Sequence, residues 1–107
     1  MKGDAYLVVG SASVVLDPVG GARGERAVRV ARDACIDALE RAPSDLPGAL
    51  EAANAQVRQA AREDTGLLGG TCSAVGVLLG AASVTVAWAG DACALRYRGS
   101  TLTRLTQ

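Results

Sequence analysis

Apolar residues fall along this chain in two different rhythms, and the change from one to the other divides it into elements. From Ala5 to Leu16 the run AYLVVGSASVVL is two short, valine-rich stretches around Gly10-Ser11-Ala12-Ser13, which predicts a β-hairpin. Asp17-Pro18-Val19-Gly20-Gly21 is expected to end the second strand in a tight exposed turn, because proline lacks the ladder donor and paired glycines permit unusual backbone angles. From Arg23 to Arg41 the period becomes helical, with Ala27, Val30, Ala31, Ala34, Cys35, Ala38 and Leu39 on one side and charges on the other. Ala42-Pro43 closes this helix. Ser44 or Asp45 can cap a second one, whose face carries Leu46, Ala49, Leu50, Ala53, Val57, Ala60 and Ala61. After a loop from Gly66 to Gly70 the two-residue rhythm returns over 71–79, 83–89 and 93–98, with a short last strand from Leu102 to Leu105. The order ββαα then ββββ predicts an α+β fold: an antiparallel sheet with an antiparallel helical hairpin on one face.

Composition narrows what such a domain can do. At 107 residues the chain forms a single domain, and half of its residues are hydrophobic. The only aromatic residues are Tyr6, Trp88 and Tyr97, so small side chains must pack the layers closely. Eleven basic and eleven acidic residues cancel, and no net field would draw the protein onto nucleic acid or an anionic membrane. No apolar run approaches the ~20 residues of a membrane span, and the N-terminus lacks the layout of a signal peptide, so a cytoplasmic protein is expected. Cys35, Cys72 and Cys93 form no C-x-x-C pair and there is no histidine, which argues against a zinc site and makes buried, inert thiols the expectation. The missing histidine also removes the commonest general acid or base. Arginines at 23, 26, 29 and 32 suggest a phosphate-binding stripe, but three-residue steps drift around a helix. Arg29 with Asp33 and Asp37 with Arg41 offer four-apart partners, so a solvated face is expected.

Candidate chemistry lies in three aspartates at strand ends. Asp4 precedes the first strand, Asp17 follows the second, and Asp91 sits in the Gly90-Asp91 tip between later strands. An aspartate in a turn ordinarily caps it. Several at the ends of rigid strands are also the raw material of a divalent-cation site, because hard cations take oxygen ligands.

Their order and context resemble the type 2C (PPM-family) metal-dependent protein phosphatases. Gly3-Asp4 before an apolar strand is similar to that family's Asn-Glu-Asp start, and Val15-Leu16-Asp17-Pro18-Val19-Gly20-Gly21 to its Ala-Asp-Gly-Met-Gly-Gly motif. Gly24-Glu25 leads into the long helix as in the family, and Asn54 stands where the family has an Ala-Asn pair. Gly70-Thr71-Cys72 resembles a Gly-Thr-Thr strand opening, Val86 to Cys93 the strand that ends in Gly-Asp-Ser-Arg, and Leu102 to Thr106 the Leu-x-x-Leu-Thr segment.

The resemblance implies a β-sandwich with helices outside and an acidic edge holding two Mg²⁺ or Mn²⁺ ions that activate a water against a phosphoester. Residue by residue, it makes Asp17 the carboxylate that bridges both metals, the Pro18 backbone carbonyl a further ligand, Asp4 the aspartate beside the first site, and Asp91 one linked to a third metal. The departures are as informative. Gly3 replaces the family's glutamate, Pro18 its glycine, and Ala92 and Cys93 its Ser-Arg. The histidine after Gly-Gly is absent, as are the phosphate-gripping arginine of a preceding strand and two carboxylates from segments that would follow Gln107.

The expectation is therefore a single truncated phosphatase-like domain over residues 1–107, holding Mg²⁺ or Mn²⁺ weakly if at all and acting as a binding or regulatory module. The alternative is a Mg²⁺/Mn²⁺-dependent phosphoserine/phosphothreonine phosphatase whose site is completed by a dimer mate or a second chain. A sheet face drawing on Val75, Val77, Val84, Val86, Trp88 and Leu95 would leave a large apolar patch, which predicts a homodimer or a complementing protein chain. A phosphoprotein is a further possible partner.

Overall fold

The computed structural model describes residues 3–64, 70–90, 95–98 and 101–104. The elements follow in the order β1 (Ala5–Val9), β2 (Ala12–Val19), α1 (Ala22–Arg41), α2 (Leu46–Glu63), β3 (Thr71–Leu79), β4 (Val84–Ala89), β5 (Leu95–Arg98) and β6 (Thr101–Arg104). The first four strands make one antiparallel sheet in the order β1-β2-β3-β4, and among the described residues β5 pairs with β6 as a separate two-stranded sheet. The architecture is α+β, with both helices on one face of the four-stranded sheet.

The β1–β2 turn is tighter than the four residues read from the sequence. Gly10 and Ser11 alone make it, while Ala12 and Ser13 already pair with Val9 and Val8. A positive φ of 57° at Gly10, with none at Ser11, is the pattern of a two-residue hairpin turn whose twist suits the strands. That turn sets the register, and the register sets the faces. Leu7, Ala12, Val14 and Leu16 point to the helices and are buried, while Tyr6, Val8 and Val15 point away and are exposed.

Strand β2 also runs further than expected. Asp17, Pro18 and Val19 are not a turn after the strand but its last residues, opposite Ser73, Cys72 and Thr71 of β3. The reason is local. Strand β1 begins at Ala5, the partner of Leu16, so beyond Leu16 only β3 pairs with β2. Proline is tolerated at such an edge.

Both helices bury a stripe of small residues. Ala27, Val28, Ala31, Cys35 and Leu39 of α1, and Leu46, Ala49 and Ala53 of α2, join Leu7, Val14, Leu16 and Ala74 in one core. Val28 is a core residue that the helical pattern had not singled out; Val30, placed on the apolar face, is only half-buried. Helix α2 starts where Asp45 caps it, its carboxylate accepting from the Gly48 N–H at 2.9 Å. Leu46 then seats against Gly76 of β3, where an added Cβ would stand 2.8 Å from the Leu46 Cδ1. Among the described residues no helix is long and apolar enough to cross a membrane.

Candidate functional site

Asp4 immediately precedes Ala5, and Asp17 immediately follows Leu16, the partner of Ala5. The hairpin therefore brings the two predicted carboxylates to the same end of the sheet, both exposed. Both are engaged in polar or charged interactions there. Pro18, whose carbonyl was the third predicted ligand, is half-buried next to Asp17 and opposite Cys72. Asp91 lies outside the described residues, as does Cys93.

Two further side chains complete this corner. Gly3 has a φ of 87°, and a Cβ added to it would meet the Glu25 Cγ at 2.8 Å, the Pro18 Cγ at 2.9 Å and the Glu25 Oε1 at 3.2 Å. The first turn of α1 thus lays Glu25 over the position where the resembling family has a glutamate of its own. Glu25 is carried there by Gly24, where any side chain would collide with the Val19 backbone, its Cβ falling 2.4 Å from the Val19 oxygen. Glycine at 24 lets the helix start directly on the end of β2. The second is Ser73, the register partner of Asp17. It is buried, and its hydroxyl has no hydrogen-bond partner. In the sequence Gly24-Glu25 stands only as a motif leading into a helix, and nothing local marks Ser73, whose relation to Asp17 exists only through strand pairing.

The thiols show what charge and burial do here. Burial pushes the Cys35 pKa from an ordinary 9.0 up to about 11, with the nearby Cys72 thiol adding to the shift. Its Sγ lies 3.6 Å from the Ala49 carbonyl, a weak hydrogen bond between the helices. Cys72 is raised too, first by burial and then by the negative charge of Asp17. Neither thiol is a nucleophile at neutral pH. Cys72 also lines a cavity of about 90 Å³ between the helices and the sheet, with Leu16, Leu50, Val57 and the Asn54 singled out from the sequence.

The donor set decides which ion fits. A single Mg²⁺ or Mn²⁺ is commonly held by one or two carboxylates with waters; Asp4, Asp17 and the Pro18 carbonyl are the candidate oxygen donors at this corner. A pair of ions needs more. Among the described residues no three Asp, Glu or Cys side chains converge to hold a metal ion. Three of the α1 arginines are engaged within the chain: Arg26 pairs with Asp64, Arg32 donates to the Tyr6 carbonyl at 3.0 Å, and Arg41 pairs with Asp37 as anticipated.

No protein-family model matches the chain, and no curated protein does. Solved structures do. The PPM Ser-Thr phosphatase MsPP from Mycobacterium smegmatis, solved in complex with cacodylate, superposes with a TM-score of 0.84 over 97% of this chain and 46% of that one, at 25% identity. The chain has the fold of the PPM Ser/Thr phosphatases. The catalytic domain of the phosphatase PstP, solved with two manganese ions, gives a TM-score of 0.84 at 20% identity over 97% of this chain and 48% of that one. A Stage II sporulation E family protein from Thermanaerovibrio acidaminovorans is 30% identical, with a TM-score of 0.67 over 95% of this chain and 52% of that one. This PPM-fold chain spans about half the length of the solved structures it matches.

Proposed function

We propose that this PPM-fold chain is a catalytically reduced, phosphatase-like protein that works as a binding or regulatory module. The observation that carries this reading is the make-up of the corner where β1 begins and β2 ends. It offers Asp4, Asp17 and a proline carbonyl, with a glycine at position 3 packed under Glu25. Such a set suits one weakly held hard cation, whose chemistry would be to polarise a bound water or phosphate oxygen. In-line displacement at a phosphoester uses two ions about 3.5–4 Å apart, and the described carboxylates do not supply both sets of ligands. No histidine is present to protonate a leaving group, and a missing general acid alone costs roughly 10²–10⁴ in rate.

The test is metal-dependent hydrolysis of p-nitrophenyl phosphate. With Mn²⁺, the wild type and Asp17→Ala are expected to share the same background rate; turnover that disappears with Asp17 would sink this reading. Calorimetry with Mn²⁺ should show weak uptake of a single ion, lost in Asp17→Ala.

The second reading is a Mg²⁺/Mn²⁺-dependent phosphoserine/phosphothreonine phosphatase whose site a dimer mate or a second chain completes. It is favoured by one fact: the chain spans about half of each PPM structure it resembles, so ligands from elsewhere could join Asp17. A phosphoprotein substrate would follow from it. Failure to bind Mn²⁺ at millimolar metal would count against this alternative.

A further inference from the structure

Strand pairing shuts one polar group in beside the acidic corner. Ser73 is the register partner of Asp17, and both point away from the helices, since Leu16 and Ala74 next to them belong to the core beneath. On its other side Ser73 meets Gly90, which follows Ala89, the partner of Ala74. A Cβ on Gly90 would stand 2.7 Å from the Ser73 Cβ, so glycine lets the end of β4 approach the serine this closely. Ser73 is left 4% exposed, and its hydroxyl has no hydrogen-bond partner. Thr71, two residues earlier on the same face, is exposed and its hydroxyl reaches solvent.

A buried hydroxyl without a partner forfeits the hydrogen bonds it had in water, and an alanine would fill nearly the same space without that loss. Such a group calls for an explanation, and a bound ion or water nearby is one of the ordinary ones. The surroundings narrow the choice. Across the strands from Ser73 stand Asp17 and Gly90 directly, and Val15, Val19 and Trp88 diagonally. Among these described residues Asp17 alone carries a side-chain acceptor for the serine proton.

We infer that Ser73 is a positioning residue for Asp17: its hydroxyl donates to one carboxylate oxygen and so turns the other toward a hard divalent cation at the corner. The inference rests on the reading of that corner as the seat of one such cation, and it adds a residue that belongs to none of the motifs resembling the phosphatase family's. Cross-strand partners hold their Cβ atoms about 4.5–5.5 Å apart. One hydrogen bond of about 2.7 Å from a serine Oγ to a carboxylate oxygen spans that gap. Asp17 is engaged in another interaction as well. A carboxylate has two oxygens and about four acceptor sites, so rotation about its own side-chain bonds brings one oxygen to the idle hydroxyl and leaves the other for the cation. The bond is charge-assisted and shielded from water by the approach of Gly90, which strengthens it. Partners that fix a ligating carboxylate in this way typically matter about 10–100-fold in metal affinity.

Mn²⁺ binding to the intact chain, measured by calorimetry and by the EPR signal of free Mn²⁺, tests this without recourse to hydrolysis. Ser73→Ala is expected to bind Mn²⁺ about tenfold or more weakly than the wild type. In metal-free buffer it should melt at the same temperature or higher, because it removes an unpaired buried hydroxyl. A merely structural serine would do the reverse, lowering the metal-free melt and leaving the affinity alone. Ser73→Cys keeps the volume with a weaker donor and should fall between the two. Ser73→Ala that binds as tightly as the wild type, while Asp17→Ala binds no ion, overturns the inference and leaves the reading of the corner intact. A wild type that takes up no Mn²⁺ at millimolar metal overturns both. Should Ser73→Ala not fold, Ser73→Cys decides: wild-type affinity in that variant refutes the positioning role.

Discussion

At Gly24 a single methyl group decides how a helix meets a strand. A Cβ there would stand 2.4 Å from the Val19 oxygen and 2.7 Å from the Val19 nitrogen, and backbone cannot step aside as a side chain can. Gly24→Ala is expected to destabilise the fold by about 1–3 kcal/mol, the usual range for overpacking. In urea this appears as a lower midpoint with an unchanged m-value. Cys35 makes a different kind of prediction. Its pKa rises from 9.0 to about 11 on folding because burial penalises the thiolate. A raised pKa means that the native state holds its proton more tightly, so the associated stability is complete below about pH 9 and is lost as pH climbs through about 11. Stability measured over that window should fall, and Cys35→Ala should flatten the fall. The sequence showed that Cys35 and Cys72 would be inert apolar thiols. It did not show that Asp17 contributes to holding Cys72 protonated, because that proximity arises from pairing across strands.

Among the elements, α2 depends most visibly on one side chain. Asp45 accepts from the Gly48 N–H, and Pro47 in the first turn occupies a position whose N–H has no helical partner. Asp45→Ala is expected to cost about 1 kcal/mol, whereas Asp45→Asn should retain most of the cap; thermal melts of the two variants read the difference. Both helices, and the strands from Thr71 onward, were legible because amphipathic period and capping residues are local signals. Asp17-Pro18 is different. Proline locally signals the end of a strand, but a strand's tolerance of proline depends on which neighbours pair with it, and β1 stops short of Pro18. That β5 and β6, among the described residues, form a sheet separate from the first is likewise a property of the assembled fold.

At the scale of the whole molecule, one four-stranded sheet carries both the acidic corner and the face that receives the helices. The amino-acid sequence by itself determined the α+β class, the order of elements, the apolar stripes of both helices and the likeness to PPM phosphatases. Each rests on spacing within a short segment, where backbone geometry converts sequence period into a face. It also named Asp4 and Asp17. Only tertiary structure decided that a two-residue turn sets these carboxylates at one end of the sheet, that Glu25 packs over Gly3, that Ser73 stands buried opposite Asp17, and that Tyr6, Val8 and Val15 join Trp88 on one bare face. Those relations join residues far apart in the chain, and register and packing, which no local pattern encodes, bring them together.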